Sequence, residues 1–271
     1  MKSKFVLALG AVVMAASAMN ARAALLVSDA FAYSNGNLAG NTPTTGADST
    51  PAAGGPWTAY SSIGSHPIQV TSDAAVVDDN VGAEDDNIPF AGGFVDGAGT
   101  VLYASYTVTV NAPSGTLVPA YFGIFLQGTS NFDSRVWFDT PATPGDGFRI
   151  ALTSGSTIGA TSVLSTDLAF GTTYTIVTSY DFTNKNGSLW INPTETTTPP
   201  SSTPVGTTTA GSGFSDASTA YAFRQSSTAG NAIVDVGNLV VFSQSVPEPA
   251  SLGLLFGASG LVFGRRSRRR I

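Results

Sequence analysis

The densest group of side chains that could do chemistry is an acidic stretch around one glycine, residues 78–87. Carboxylate oxygens are the ligands that calcium prefers, but the spacing does not match an EF-hand loop. Runs of charge are more often simply solvated. We therefore expect a solvated acidic loop, with a calcium site as the alternative. The candidate calcium ligands are Asp78, Asp79, Asp85 and Asp86.

A second group could bind carbohydrate, because sugar sites combine an exposed aromatic ring with side chains that hydrogen-bond hydroxyl groups. Aromatic residues on alternating strands are mostly core residues. Trp57 is the hardest to assign to a core, since it lies in a segment rich in glycine and proline. The candidate ligand-binding residues are Trp57, Tyr60, Trp137 and Asp139.

Residue types for catalysis are scarce. Glycoside hydrolysis needs two carboxyl groups on either side of the bond, and the three glutamates, Glu84, Glu195 and Glu248, form no paired motif. The one histidine, His66, has no Gly-x-Ser-x-Gly partner. With no cysteine, the chain also offers few ligands for a transition metal. The sequence predicts a protein that is not an enzyme, with a glycoside hydrolase as the least favoured alternative.

The charge of the chain is distributed unevenly. Between Ala24 and Ser245 there are four basic and seventeen acidic side chains, a net charge of −13. Such a surface repels phosphate backbones, so we expect no nucleic-acid partner.

The N-terminus predicts export. Lys2 and Lys4 precede an apolar run over residues 5–18, and Ala21 and Ala23 occupy the two positions that signal peptidase reads. Residues 1–23 therefore form a predicted helical signal peptide that is cleaved after Ala23. An uncleaved anchor is the alternative, although the run is short for a membrane span of about 20 residues.

The elements that must position these side chains are strands. Residues 24–245 show short runs of β-branched and aromatic residues cut by glycine, proline and asparagine, and no amphipathic helix. We predict one all-β domain, a sandwich of two antiparallel sheets, with long loops at 36–64 and 194–213 and a hairpin turn at Asn186–Gly187. The predicted strands are 25–27, 68–70, 101–110, 121–126, 135–138, 147–153, 174–180, 188–191, 221–224 and 233–242.

The domain resembles the concanavalin A-like (laminin G-like) jelly roll. Its opening, Phe31-Ala32-Tyr33-Ser34-Asn35-Gly36-Asn37-Leu38-Ala39-Gly40, is similar to the start of many exported bacterial domains of that fold. Later pieces follow in the same order, from Gly145-Asp146-Gly147-Phe148-Arg149 to Val234-Asp235-Val236-Gly237-Asn238-Leu239. The resemblance implies a fold and no particular ligand, because the fold hosts lectins, glycanases and spacers alike.

The C-terminal residues 246–271 resemble a PEP-CTERM sorting signal. The motif Val246-Pro247-Glu248-Pro249 precedes an apolar run over 250–264, and a basic cluster follows, formed by Arg265, Arg266, Arg268, Arg269 and Arg270. The apolar run would form a short transmembrane helix of about 22 Å, and the arginines would stay on the cytoplasmic side.

The tail resemblance implies export in a Gram-negative bacterium, transient anchoring in the inner membrane, cleavage by an exosortase-type sorting enzyme, and a final place at the cell surface or outside the cell. A permanent anchor is the alternative. The sequence as a whole predicts a non-enzymatic surface or matrix protein that could associate with exopolysaccharide. The alternative function is a lectin-like carbohydrate-binding module that could use calcium.

Overall fold

The structure, a computed structural model, describes residues 23–43, 53–92, 99–127, 131–145, 147–154, 157–159, 162–209, 217–226, 228 and 231–245. Apart from Ala23, the predicted signal peptide lies outside the described residues, and so does the whole predicted sorting tail. No helix within the described ranges is long and apolar enough to cross a membrane.

The described residues form sixteen strands. In chain order these are β1 (Ala24–Asp29), β2 (Gly36–Asn37), β3 (Thr58–Ser61), β4 (Gln69–Thr71), β5 (Ala74–Asp78), β6 (Asp85–Pro89), β7 (Thr100–Asn111), β8 (Ala120–Gln127), β9 (Asn131–Asp139), β10 (Arg149–Thr153), β11 (Val163–Leu164), β12 (Thr173–Asp181), β13 (Ser188–Ile191), β14 (Gly206–Thr207), β15 (Ala220–Phe223) and β16 (Ile233–Ser245).

The strands pair into two antiparallel sheets. The nine-stranded sheet has the order β14-β13-β12-β7-β16-β5-β4-β2, with β1 also paired to β16. The seven-stranded sheet has the order β11-β10-β9-β8-β15-β6-β3. The predicted all-β sandwich of two antiparallel sheets is therefore confirmed.

The core lies between the two sheets and follows the alternation of side chains along each strand. In β7, every second residue from Leu102 to Val110 is buried in the core cluster. In β15, Tyr221 and Phe223 enter the same cluster, while Ala220 and Ala222 belong to a small cluster on the outer face of the sheet. Apolar side chains therefore pack on both faces of the seven-stranded sheet, and only those on the inner face belong to the main core.

The prediction of two long loops is partly wrong. The segment 36–64 contains β2 and β3, and the segment 194–213 contains β14. Strands β2 and β14 are two residues long, paired with β4 and β13 at the edges of the nine-stranded sheet. Two residues cannot show an alternating pattern, so only their pairing partners reveal them.

The predicted hairpin is confirmed, but its turn lies elsewhere. Strands β12 and β13 pair across a turn in which the Asp181 carboxylate accepts hydrogen bonds from the amides of Thr183 and Asn184 at 2.8 and 3.0 Å. Lys185 takes the left-handed conformation, with φ 52°. The aspartate thus organises the turn, as short polar side chains commonly do, and Asn186–Gly187 lies at its end.

A buried pair of hydroxyl groups explains one glycine in β8. The Tyr221 hydroxyl donates to the Tyr106 hydroxyl at 3.0 Å in the core. A Cβ atom at Gly123 would lie 2.6 Å from the Tyr221 oxygen and 3.0 Å from the Tyr106 oxygen. Neither hydroxyl can retreat without breaking the bond, because both rings are at most 1% exposed.

We therefore expect Gly123→Ala to lower the free energy of unfolding by about 1–3 kcal/mol through overpacking. Urea denaturation measures this. The matched control is Gly159→Ala, where the new methyl group meets nothing within 4 Å, so its stability should stay within about 0.5 kcal/mol of the original chain. Equal stability of the two variants would contradict the packing assigned to Gly123.

Candidate functional site

The acidic stretch is not a solvated loop. Asp78 ends β5, while Asp85 and Asp86 begin β6. Asp79, Asp85 and Asp86 are between 0% and 7% exposed. The expectation of solvation is therefore wrong for these three residues. The burial of Asp85 and Asp86 follows from strand pairing, because β6 lies between β3 and β15 in the seven-stranded sheet.

The carboxylates of this stretch bind backbone amides. Asp85 Oδ1 accepts from the Gln225 amide at 3.0 Å, and Asp79 Oδ1 accepts from the Ser226 amide. Asp78 Oδ1 accepts from the Asn80 amide at 2.9 Å. The acidic stretch therefore fixes the chain directly after β15.

The Gln225 side chain completes this attachment. Its carbonyl oxygen accepts from the Asp78 amide at 2.9 Å, and its Nε2 donates to the backbone oxygens of His66 and Glu84 at 2.8 and 2.9 Å. Gly82 leaves room for it, because a Cβ there would lie 2.4 Å from the Gln225 side chain. We call residues 78–86 together with Gln225 and Ser226 the acidic clamp.

The four predicted calcium ligands all lie in the acidic clamp. Within the described parts of the chain, no group of three or more His, Asp or Glu side chains is arranged to hold a metal ion. One oxygen of each of Asp78, Asp79 and Asp85 accepts a hydrogen bond from a backbone amide. Calcium binding at these positions and Asp86 stays a prediction.

Asp86 faces the interior. It is opposite Phe223 and Ala59 in the sheet and 0% exposed, and neither of its oxygens has a hydrogen-bond partner within the described residues. Burial, together with the nearby charges of Glu84 and Asp85, raises its pKa to about 7, against the opposing effect of the Ala39 backbone amide. Burial likewise raises the pKa of Asp79 to about 7 and of Asp85 to about 6.

Trp57 belongs to the core, contrary to expectation. It is 1% exposed, and its ring stacks on Phe223 with centroids 5.3 Å apart. Its Nε1 donates to Asp29 Oδ2 at 2.6 Å, and the Tyr33 hydroxyl donates to the same oxygen at 2.8 Å. The remaining oxygen of Asp29 accepts from the Phe31 amide. Trp57 thus has a partner for its polar edge inside the protein, and its ring is not offered to a sugar.

Trp137 and Asp139 lie on the outer face of the seven-stranded sheet, because their neighbour Phe138 points into the core. Trp137 is 8% exposed, and its Nε1 donates to Thr153 Oγ1 at 3.0 Å. Asp139 forms an ion pair with Arg149 at 3.1 Å across the β9–β10 pair. Both side chains are therefore already engaged, and they form one end of the face.

The centre of this outer face holds two arginines over one tyrosine. The Arg224 guanidinium lies 4.3 Å from the centroid of the Tyr121 ring, and the Arg135 guanidinium lies 5.2 Å from it. Asp85 Oδ2 approaches Arg224 Nε at 4.0 Å. We call Tyr60, Asp85, Tyr121, Arg135 and Arg224 the arginine–tyrosine cluster.

Burial and neighbouring charges shift the pKa values of two side chains in the arginine–tyrosine cluster. Burial lowers the pKa of Arg135, and the positive charge of Arg224 lowers it as well. Burial raises the pKa of Tyr60, so its hydroxyl remains a donor. That hydroxyl is buried and has no hydrogen-bond partner within the described residues. The two guanidinium groups are therefore the donors that lie beside aromatic rings on a partly exposed face, while the Tyr60 hydroxyl is enclosed.

Sequence reasoning placed Tyr60 and Asp85 among candidate residues but missed Tyr121, Arg135 and Arg224. The sequence did contain a clue to the two arginines, because only four basic residues lie between Ala24 and Ser245. What could not be read from the sequence is that β8, β9 and β15 bring these three side chains together.

A cleft lies beyond the end of β9. It encloses about 440 Å³ and is lined mainly by proline, glycine and Phe170, with Thr140 where it meets the end of the strand. Phe170 packs on Phe148 at a centroid distance of 5.5 Å. This rim cleft is mainly apolar, and two of its lining residues, Leu117 and Phe170, pack in or against the main core.

No protein-family model matches the chain, and no curated protein matches it in sequence. Solved structures do match in fold. One described as "Cell entry of botulinum neurotoxin type C is dependent upon interaction with two ganglioside molecules" is 9% identical, with a TM-score of 0.50 over 87% of this chain and 51% of that one.

Two further structures have lower scores. Lectin II from Ulex europaeus is 14% identical, with a TM-score of 0.41 over 69% of this chain and 92% of that one. A sialidase is 14% identical, with a TM-score of 0.46 over 68% and 16%. The chain spans about half the length of the toxin structure and about a sixth of the sialidase. At these identities the likeness is one of fold alone, and it agrees with the sandwich of two antiparallel sheets.

The buried carboxyl of Asp86 predicts a pH dependence of stability. Its pKa in the folded chain, about 7, exceeds the ordinary 3.8 of the unfolded chain. At a pH between these two values, folding is therefore accompanied by the binding of a proton. The contribution of Asp86 to the free energy of unfolding is fully present below about pH 4 and is lost as the pH rises through about 7. We expect Asp86→Asn, which stays neutral, to raise the melting temperature by roughly 3–8 °C at pH 8, with a much smaller gain at pH 4.5.

Thermal melting at the two pH values measures this difference. Asp73→Asn is the control, because Asp73 is an exposed residue in the turn before β5 and its substitution should leave both melting temperatures unchanged. A variant at Asp86 that melts below the original chain at pH 8 would show that the carboxylate is stabilised by a partner.

Proposed function

We propose that this protein is an exported, non-enzymatic carbohydrate-binding module of the lectin-like fold. Its ligand would lie on the outer face of the seven-stranded sheet, over the arginine–tyrosine cluster. The observation that carries the proposal is the pair of guanidinium groups held at 4.3 and 5.2 Å from the Tyr121 ring on a partly exposed face.

The chemistry of the cluster suits sugar hydroxyl groups. A guanidinium presents its donors in a rigid planar fork, which can bond two adjacent hydroxyl groups of one sugar ring. Arg224 keeps 31% of its side chain exposed and is therefore within reach of a ligand. The half-buried rings of Tyr121 and Phe132, 6.5 Å apart, add apolar surface beside these donors.

Structures of this fold include lectins and a toxin described by its interaction with gangliosides. The fold alone names no ligand, so the proposal depends on the residues of this chain. It also agrees with a role in an extracellular matrix, because a matrix protein that associates with exopolysaccharide needs a glycan-binding surface.

The destination of the protein is a second part of the proposal. Signal peptidase would cleave after Ala23, and an exosortase-type enzyme would then process the tail near Pro247-Glu248-Pro249, releasing the domain to the cell surface or beyond. The sequence order supports this: a positive start with an apolar run, then the domain, then the motif, an apolar run and the arginines. The arginines would hold the tail in the inner membrane until it is cut.

Glycan binding is tested by Tyr121→Ala on a glycan array. Removing the ring takes away the common support of Arg135 and Arg224, so we expect affinity to fall by about tenfold or more. Tyr103→Ala is the matched control, because Tyr103 is a half-buried tyrosine on the outer face of the opposite sheet. Binding that survives Tyr121→Ala but not Tyr103→Ala would move the site to the nine-stranded sheet.

Processing is tested by mass spectrometry of the intact protein recovered from its native host. We expect a chain that begins at Ala24 and lacks the apolar run and the arginine cluster. Replacing Pro247 and Pro249 by alanine should leave the tail in place, because the prolines break the helix and expose an extended segment to the enzyme. A native chain that ends at Ile271 would refute the proposal of cleavage.

A further inference from the structure

We propose that the arginine–tyrosine cluster recognises a carboxylate, so that the ligand is a polysaccharide with uronic acid residues spaced along an otherwise neutral chain. The inference rests on the proposed function and names its substrate class. The site would hold the carboxylate against Arg224, with Arg135 adding a second positive charge.

The distribution of charge supports this choice. Of the four basic side chains between Ala24 and Ser245, three lie on the outer face of the seven-stranded sheet: Arg135, Arg149 and Arg224. The fourth, Lys185, lies in the turn between β12 and β13. A domain with seventeen acidic side chains has thus placed most of its positive charge on one face, which is where an anionic group would be bound.

The two arginines of the cluster repel each other. Both guanidinium groups lie over the same ring, and neighbouring like charges are unfavourable where solvent is partly excluded. A carboxylate close to both groups would relieve this repulsion. Its two oxygens also match the fork of a guanidinium, which makes such pairs stronger than bonds to neutral hydroxyl groups.

The protein's own carboxylates leave Arg224 available. Arg149 has a close partner, since its Nη2 lies 3.1 Å from Asp139 Oδ2. Arg224 has a more distant one, with 4.0 Å between its Nε and Asp85 Oδ2. Asp85 is itself held by the Gln225 amide in the acidic clamp, so it cannot turn freely towards the guanidinium. A ligand carboxylate can therefore make the shorter contact.

The overall charge limits how acidic the ligand can be. A net charge of −13 over residues 24–245 repels a densely charged polymer such as a nucleic acid or an anionic membrane surface. A glycan in which one acidic sugar alternates with neutral ones places a single carboxylate at the cluster and keeps the next about one disaccharide away. This spacing favours a polysaccharide over the other polyanions.

The test compares two ligands that differ only in charge. Hyaluronan hexasaccharide, in which glucuronate alternates with a neutral sugar, and its carboxyl-reduced form are titrated calorimetrically into the purified full-length protein in detergent. We expect the acidic form to bind about 10- to 100-fold more tightly. Arg224→Gln should remove that preference without changing affinity for the reduced form, and Arg224→Lys should keep part of it.

Lys185→Gln is the matched control, because it removes the same charge from the turn between β12 and β13 and should keep the preference. Thermal melting confirms that each variant is folded. If the original chain binds both forms equally, the carboxylate is not recognised, although glycan binding stands. If it binds neither form, the inference is wrong, and the glycan array decides separately whether any sugar binds.

A single-stranded oligonucleotide of similar length is titrated in parallel. Binding of the oligonucleotide as tight as that of the acidic hexasaccharide would overturn the inference, because the cluster would then attract anions without regard to the sugar.

Discussion

The hydrogen bonds within the acidic clamp, which join residues 78–86 to Gln225 and Ser226, are the contacts on which the arginine–tyrosine cluster depends. Asp85 and Asp79 accept from the two backbone amides, and the Gln225 side chain bonds the backbone at the end of β5 and just before β6. This fixes the end of β15, and with it the direction of Arg224. The carboxylates of this segment thus hold the chain beside Arg224 through hydrogen bonds to amides.

The same strands carry a conflict between stability and charge. On the inner face Asp86 lies opposite Phe223 without a partner in the described residues, and on the outer face Arg135 and Arg224 share one aromatic ring. Buried or crowded charges of this kind oppose folding. The large aromatic core between the sheets offsets them, and a ligand with the complementary charge would relieve the strain on the outer face.

The fold could be predicted from the sequence where the pattern was long enough to read. The alternation over 101–110 gave β7 and its core face correctly, whereas β2 and β14 are too short to show a period. Trp57 was misplaced because local composition suggested a loop, while Asp29, distant in sequence, supplies the partner for its indole nitrogen. The arginine–tyrosine cluster was missed because three separate strands form it.

The central claim is that a glycan binds on the outer face of the seven-stranded sheet. A crystal structure of the protein with a bound oligosaccharide tests it most directly. The account predicts density for a sugar within hydrogen-bond distance of Arg224 and in contact with the Tyr121 or Phe132 ring, with the acidic clamp unchanged. A sugar found only in the rim cleft beside Phe170, or on the nine-stranded sheet, would contradict the account.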